Sequence, residues 1–270
     1  MDQRPVAFID SGVGGLPYCS AFRALAPAET VAYVADRANF PYGPRTKEEL
    51  TGIVVDLIGR LRAAFDPKLV VIACNTASVT ALEGARSAFP GLPIVGTVPA
   101  VKSAAVASVK RRIGVLATER TVRDPYIDVL AERFAPDCVL ERLAAPELTE
   151  FVEKRYPVAS PAERSRVASA YVDRFRALGV DAIVLGCTHY LYLVDEFAAA
   201  GAPDIAVYDS RTGVAKRALS LLLEADALAE RFALGAGRLY VTGDRLFEDH
   251  WQDFASLFGL DFAGVPAGRP

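Results

Sequence analysis

The chain has 270 residues, 52% apolar and 23% charged, with 30 Lys and Arg against 33 Asp and Glu for a formal charge of −3. That length suits one large or two modest domains with developed cores. The near-even charge, with no uninterrupted apolar run of membrane-spanning length, argues against nucleic acid and membranes as partners.

The opening Met1-Asp2-Gln3-Arg4-Pro5 leads straight into a strand and lacks the long apolar segment of a secretory signal. Cys19, Cys74, Cys138 and Cys187 are far apart, form no C-x-x-C pair and are accompanied by two histidines. Neither a disulfide framework nor a structural metal site is expected. A cytoplasmic protein with reduced thiols fits this usage.

Pro5 to Ile9 reads as the first strand, running into Asp10-Ser11-Gly12-Val13-Gly14-Gly15-Leu16. A dinucleotide fingerprint would need glycine at position 17, where Pro17 stands, and the phosphate loop's Gly-Lys-Ser/Thr is missing. The glycines instead suit a tight turn that lets backbone approach a small ligand, with Asp10 and Ser11 at the strand tip. Asp10 is equally suited to being a turn or capping residue. A helix over Leu16–Leu25 places Cys19 as a packing residue. A strand from Thr30 to Val34 leads into Asp36-Arg37-Ala38-Asn39-Phe40-Pro41-Tyr42-Gly43-Pro44, whose prolines and aromatics predict an ordered loop placed to close over a site. Thr46 and Glu49 then have capping-box spacing, and Ile53, Leu57, Leu61 and Phe65 continue an apolar helical stripe.

Val70-Val71-Ile72-Ala73-Cys74-Asn75-Thr76 is a short apolar run ending in a cysteine and two small polar residues. Ala182-Ile183-Val184-Leu185-Gly186-Cys187-Thr188-His189 repeats it 113 positions later (187 − 74). Such runs are strands buried on both faces of a parallel sheet. A helix can follow each, with Asn75, Thr76 or Thr188 supplying N-cap oxygens. A helix start favours negative charge and therefore the thiolate, and ligands of open α/β sheets bind beyond the carboxyl ends of the strands. A lone cysteine ending a core strand is commonly packing. The polar neighbours of both cysteines favour a site, because core filling gives no reason for Asn-Thr or Thr-His.

Between the two runs come a helix to about Phe89, a strand Pro93–Gly96, and a crossing between domains near 97–100. Arg112–Thr118 echoes Val6–Ser11 at a spacing of 107 (118 − 11), setting Thr118 opposite Ser11. Helices around a strand Asp137–Leu140 extend to Leu178, with Cys138 read as core and Glu153 as ambiguous, since most helical glutamates are solvated. Beyond Cys187 follow a helix and strand Ile205–Tyr208, a helix Arg211–Phe232, strand Leu239–Val241 and a helix around His250-Trp251, His250 being a surface or interface residue. The predicted fold is α/β. Two similar doubly wound domains with mostly parallel sheets, residues 1–97 plus 208–270 and residues 98–207, are expected to be related by pseudo-two-fold symmetry with the active site in the interdomain cleft.

Several segments together resemble the glutamate racemase family over most of the chain. They are Ile9 to Leu16, Pro41-Tyr42-Gly43, Ala73-Cys74-Asn75-Thr76-Ala77, Gly114-Val115-Leu116 with Thr118 and Thr121, Phe151-Val152-Glu153, and Leu185-Gly186-Cys187-Thr188-His189-Tyr190. The resemblance implies a cofactor-independent homodimeric enzyme that interconverts L- and D-glutamate for peptidoglycan synthesis. It implies that Cys74 takes the α-proton of D-glutamate and Cys187 that of L-glutamate, with Asp10 and His189 assisting the thiols or holding the ammonium group. Pro41, Tyr42 and Gly43 complete the binding surface, and Asp36 and Glu153 are further candidates. Chemistry leads the same way: racemisation needs two acid–base groups flanking a planar carbanion. Few cations stand near these motifs, so backbone N–H groups, the hydroxyls of Ser11, Thr76, Thr118, Thr121 and Thr188 and the Asn75 amide are the expected carboxylate partners. The chain departs from the family at Pro17-Tyr18, at Lys154 and at Leu191-Tyr192.

Three alternatives stand beside this reading. An aspartate racemase is the nearest, although His189 takes the place where those enzymes tend to carry an acid. A Cys-His hydrolase would use Cys187 and His189 as nucleophile and base, leaving Cys74 without a purpose. A non-catalytic module would simply hold an amino acid.

Overall fold

The short β-branched runs form the strands of two all-parallel sheets. The computed structural model describes residues 2–230, 234–243 and 250–266. The chain divides into two units, Met1–Thr97 with Arg211–Pro270, and Val98–Ser210.

In the first unit the order is β1 (Val6–Asp10), α1 (Leu16–Leu25), β2 (Val31–Ala35), α2 (Lys47–Phe65), β3 (Leu69–Ile72), α3 (Asn75–Ala88) and β4 (Ile94–Gly96). In the second come α4 (Val101–Ala107), β5 (Arg112–Ala117), α5 (Glu119–Arg123), α6 (Pro125–Phe134), β6 (Val139–Ala144), α7 (Pro146–Lys154), α8 (Pro161–Ala177), β7 (Ala182–Leu185), α9 (Val194–Gly201) and β8 (Ala206–Tyr208). The chain then adds α10 (Arg211–Glu224), β9 (Gly237–Val241), α11 (His250–Leu257) and β10 (Asp261–Gly264) to the first unit.

The first sheet runs β10-β9-β2-β1-β3-β4 and the second β6-β5-β7-β8. The last four strands of the first sheet, β2-β1-β3-β4, and the whole of the second therefore share one strand order. The register repeats as well. Ile9 lies opposite Ile72 in the first sheet and Leu116 opposite Leu185 in the second, so the spacings of 107 (116 − 9) and 113 (185 − 72) are those of equivalent positions.

The central strands β1, β3 and β7 and most of β5 are buried along their length. Ala7 and Ile9 face a cluster with Leu50, Val54 and Leu57 of α2 and Ala77 and Ala81 of α3, while Phe8 packs its ring against Phe22 of α1 at 5.6 Å between centroids. In the second unit Ile113 and Val115 join Val101 of α4 and Ile127 and Leu130 of α6. Gly114, between them, leaves room for the Phe175 ring of α8, which a Cβ would meet at 2.6 Å. Each fully buried side chain of this kind contributes about 1.5–3 kcal/mol. The helices leading to the cysteine strands are capped alike: Thr46 accepts from Glu49 N in a full capping box on α2, and Ser160 accepts from Glu163 N on α8.

Below the first sheet lies a buried ion pair. Lys68 Nζ is 2.7 Å from Glu29 Oε2, with side chains 1% and 2% exposed. The ammonium also donates to the carbonyls of Asp2 and Ala227, and Glu29 accepts from Ala229 N.

Several expectations need correction. Cys138 precedes β6 and is only partly buried at the margin of its cluster, because the strand starts at Val139 and runs on through Glu141 and Arg142 to Ala144. The helix after Tyr208 ends at Glu224, where the backbone turns left-handed at Asp226 (φ 49°); the expected end at Phe232 lies outside the described residues. The edge strand β10 had no counterpart in the sequence reading. His250, read as a surface or interface residue, needs no such correction: it is partly exposed, with its ring centroid 5.1 Å from that of Trp251. Among the described residues no helix is long and apolar enough to cross a membrane.

Candidate active site

The first cysteine centre is built at the carboxyl edge of β1, β2 and β3. Ala73 N donates to Ile9 O at 2.8 Å, which brings the tips carrying Asp10 and Cys74 out side by side. The strand conformation continues through Cys74 (φ −139°, ψ 119°), so the cysteine itself is the N-cap of α3 and no side chain caps the helix. This corrects the expectation that Asn75 or Thr76 would cap it: both already lie inside the first turn. Cys74 is 7% exposed and Thr76 6%.

Asn75 is 2% exposed, and neither its amide nitrogen nor its oxygen has a hydrogen-bond partner among the described residues. Burying an amide without partners is costly, and such a group at a helix start suits a polar ligand. Asp10, fully buried, accepts from Gly12 N at 2.8 Å and from Ser11 Oγ at 3.3 Å. The glycine-rich turn above it is held by Tyr33, whose hydroxyl donates to Gly12 O at 2.8 Å and accepts from Gly15 N at 3.0 Å. A Cβ on Gly15 would stand 2.7 Å from that of Ala73, so the close approach requires glycine.

Asp36 follows β2 and is also fully buried. Its Oδ2 accepts from the Tyr42 hydroxyl at 2.8 Å and from Asn39 Nδ2 at 2.9 Å, and its Oδ1 from the Thr242 hydroxyl at 2.6 Å. Tyr42 packs in the same buried cluster as Cys74. Burial foremost, then the Asp36 carboxylate, with Cys74 and Asp10 adding to it, push the phenol well above its ordinary pKa and keep it protonated. Gly43 is partly covered and Pro41 is exposed, so Pro41 shapes the loop rather than the buried part of the centre.

The second centre occupies the equivalent place. Gly186 N donates to Leu116 O at 2.7 Å, and Cys187, 5% exposed, stays extended (φ −133°, ψ 137°) before a 3-10 helix, Thr188–Leu193. Cysteine again occupies the cap position in place of Thr188. All six residues of the 3-10 helix are buried, and Tyr190 is tied to Ala145 O at 2.7 Å. The α-helix begins only at Val194.

His189 is the main neighbour of this thiol. Its Nδ1 lies 3.8 Å from Cys187 Sγ and its Nε2 2.6 Å from Glu153 Oε1, with His189 and Glu153 side chains 5% and 8% exposed. Burial opposes the imidazole's charge, but the Cys187 sulfur and the Glu153 carboxylate together outweigh it and raise the pKa well above 6.5. Glu153 is thus a buried ion-pair partner and not one more solvated helical glutamate. Thr149, one turn earlier on α7, has Oγ1 3.9 Å from Cys187 Sγ. Thr118 caps α5, accepting from Thr121 N at 3.3 Å and donating to Thr121 Oγ1 at 3.0 Å. Thr121 and Thr188 are each 1% exposed.

The sequence-derived residues thus gather at two strand edges: Asp10, Ser11, Asp36, Tyr42, Cys74, Asn75 and Thr76 on the first sheet, and Thr118, Thr121, Glu153, Cys187, Thr188 and His189 on the second. Sequence reasoning missed Tyr33, Thr149 and Thr242. Only Thr149 had a usable signal, its i,i+4 spacing from Glu153, which puts both on one helix face. Among the described residues no group of three or more His, Cys, Asp or Glu is placed to hold a metal ion. Each centre offers a thiol at a helix start and hydrogen-bond donors for a carboxylate. The line Cys187–His189–Glu153 taken alone would also suit thiol hydrolysis.

Residues 18–218 match the Asp/Glu/Hydantoin racemase family. A glutamate racemase of Sphingopyxis alaskensis is 43% identical over 215 residues, covering 79% of this chain and 80% of its own. One of Treponema pallidum is 36% identical over 265 residues, covering 97% of each chain. The crystal structure of Escherichia coli glutamate racemase, in complex with L-glutamate and the activator UDP-MurNAc-Ala, is similar with a TM-score of 0.85 at 28% identity, covering 99% of this chain and all of that one.

Proposed function

Because the chain belongs to the Asp/Glu/Hydantoin racemase family, and within it to the glutamate racemases, we propose that it interconverts L- and D-glutamate by proton transfer between two thiols without a cofactor. The observation that carries this reading is the pair of cysteines at equivalent ends of β3 and β7, each the N-cap of a helical segment. One cysteine per sheet supplies one acid–base group per face of the α-carbon.

The chemistry then runs as follows. The thiolate of Cys74 removes the α-proton of D-glutamate, and the C–H electron pair passes into the carboxylate as an enediolate. The thiol of Cys187 delivers its proton to the opposite face, giving L-glutamate and leaving the two sulfurs with exchanged protonation. From L-glutamate the same steps run backwards, beginning at Cys187. Preorganised donors at the developing enediolate supply much of the catalysis. The candidates are the first-turn N–H groups and Asn75 at the first centre, and the first-turn N–H groups with Thr188 and Thr121 at the second. At the second centre the His189 imidazolium, held by Glu153, stands beside the Cys187 sulfur. At the first, Asp10 holds the substrate ammonium in this reading, with Ser11 and Thr76 as carboxylate partners and Tyr42 and Gly43 along the binding surface. Thr118 joins the set at the second sheet.

The biological reading extends to D-glutamate supply for peptidoglycan, a cytoplasmic location and a homodimer. The test is incubation with D-glutamate and then L-glutamate in D₂O with chelator, following optical rotation and the α-proton NMR signal together. Loss of rotation with deuterium entering from both enantiomers is expected. A folded protein that exchanges neither enantiomer would overturn the proposal, and hydrolysis of amides or esters by Cys187 in its place would favour the hydrolase.

A further inference from the structure

We propose that Thr242 is a positioning residue for proton transfer at Cys74, acting through Asp36 and Tyr42; this rests on the two-thiol reading above. Thr242 follows β9, far from every sequence motif of the site, and no substrate role was assigned to it. Its hydroxyl is doubly engaged, accepting from Ala38 N at 3.1 Å and donating to Asp36 Oδ1 at 2.6 Å. Its own backbone is fixed by Thr242 N donating to Ala35 O at 2.9 Å, which extends the pairing of β9 with β2.

The line from Thr242 runs through Asp36 to Tyr42, which packs in one buried cluster with Cys74. The Asp36 carboxylate is fully buried, and the hydrogen bonds found for it come from Thr242, Asn39, and Tyr42. With Oδ1 tied to Thr242, Oδ2 is left to orient the Tyr42 hydroxyl. That hydroxyl must then donate to Asp36, so its lone pairs are what it offers the cluster holding Cys74. Without the Thr242 hydroxyl the carboxylate can rotate and the phenol loses its direction. A misplacement of about 1 Å caused away from the chemistry is enough to slow a positioned reaction. The merely structural alternative is that Thr242 only satisfies the Ala38 amide.

The test compares Thr242→Val, which keeps the shape and removes the hydroxyl, with Thr242→Ser, which keeps the hydroxyl. Thr242→Val is expected to lower kcat/KM about tenfold, and Thr242→Ser to restore it to within about threefold of the unsubstituted enzyme. Primary isotope effects separate positioning from structure. The effect on kcat/KM should rise with D-[2-²H]glutamate, whose proton goes to Cys74, and fall with L-[2-²H]glutamate, as the Cys74 step becomes more limiting in both directions. In a Tyr42→Phe background, Thr242→Val should add little further loss, since the two act through one path. Unchanged isotope effects in a folded Thr242→Val enzyme would overturn the proposal. So would a tenfold loss in Thr242→Ser, or full additivity with Tyr42→Phe. Failure of the unsubstituted enzyme to racemise glutamate would instead overturn the two-thiol reading itself.

Discussion

The Cys74 and Cys187 centres share a scaffold and differ in how charge is arranged around the sulfur. Each cysteine stands two residues past a strand that pairs with the first strand of its unit, and each precedes a helical turn. At Cys187 the neighbours are an imidazole and its carboxylate partner, 3.8 and 2.6 Å along one line. At Cys74 they are hydroxyls, the Asn75 amide, which has no hydrogen-bond partner among the described residues, and the buried carboxylates Asp10 and Asp36. Topology fixes where a thiol can sit, whereas the side chains packed behind it decide what charge stands beside it. An enzyme that must work in both directions needs the first to be alike and tolerates difference in the second.

Removing either sulfur is the most severe way to break the comparison. Cys74→Ser and Cys187→Ser are each expected to cost about 10³-fold or more in racemisation, with circular dichroism unchanged; near-normal turnover in either would sink the two-thiol mechanism. Glu153→Gln should cost about tenfold to a hundredfold and act only on the second centre's charge. Because Glu153 helps raise the His189 pKa, the imidazolium is present below that raised value and lost above it. Without the carboxylate it is lost at lower pH, so the basic limb of kcat/KM should move down. Asp36→Asn, which touches no imidazole, should leave that limb in place. A pH–rate profile of both variants decides the matter, and an unmoved limb in Glu153→Gln would show that the dyad does not set the protonation state.

Stability distinguishes the units further. Lys68→Met leaves Glu29 charged and buried in the first unit, at a cost of about 3–5 kcal/mol. Pairing it with Glu29→Leu should recover most of the loss in urea denaturation. A loss below about 1 kcal/mol for Lys68→Met would mean that water reaches the pair. The smallest effect should be an equal one. Thr46→Ala and Ser160→Ala each remove a helix cap at an equivalent helix, and each should cost about 1 kcal/mol with activity retained.

Most of the scaffold could be read from local pattern because the strands that matter are central. Leu69–Ile72 and Ala182–Leu185 are wholly buried, and burial on both faces writes a continuous apolar run. Edge strands leave weaker traces. β6 mixes Glu141 and Arg142 into its length, and β10 is four residues of Asp-Phe-Ala-Gly with two of them exposed. The cysteine motifs were legible through their repetition. Thr242 was not, and Glu153 was reached only through the family resemblance, since their importance depends on partners 206 and 36 residues away, and no local periodicity encodes so distant a contact. The N-cap assignments failed for a nearer reason: the strand keeps its extended backbone one residue further than the polar triplet suggests, and the cysteine takes the cap position.

The path of the chain also sets an order of completion during synthesis. The second unit is one continuous stretch, Val98–Ser210, set between the two segments of the first. At elongation rates of about 5–20 residues per second, the whole of Val98–Ser210 has been made a few seconds before β9 and Thr242 leave the ribosome. Cys187 and its imidazole partner can therefore settle within a finished unit. Asp36 and Tyr42 wait for the last part of the chain, so a truncation just before Gly237 would spare one cysteine centre and leave the other without its anchor.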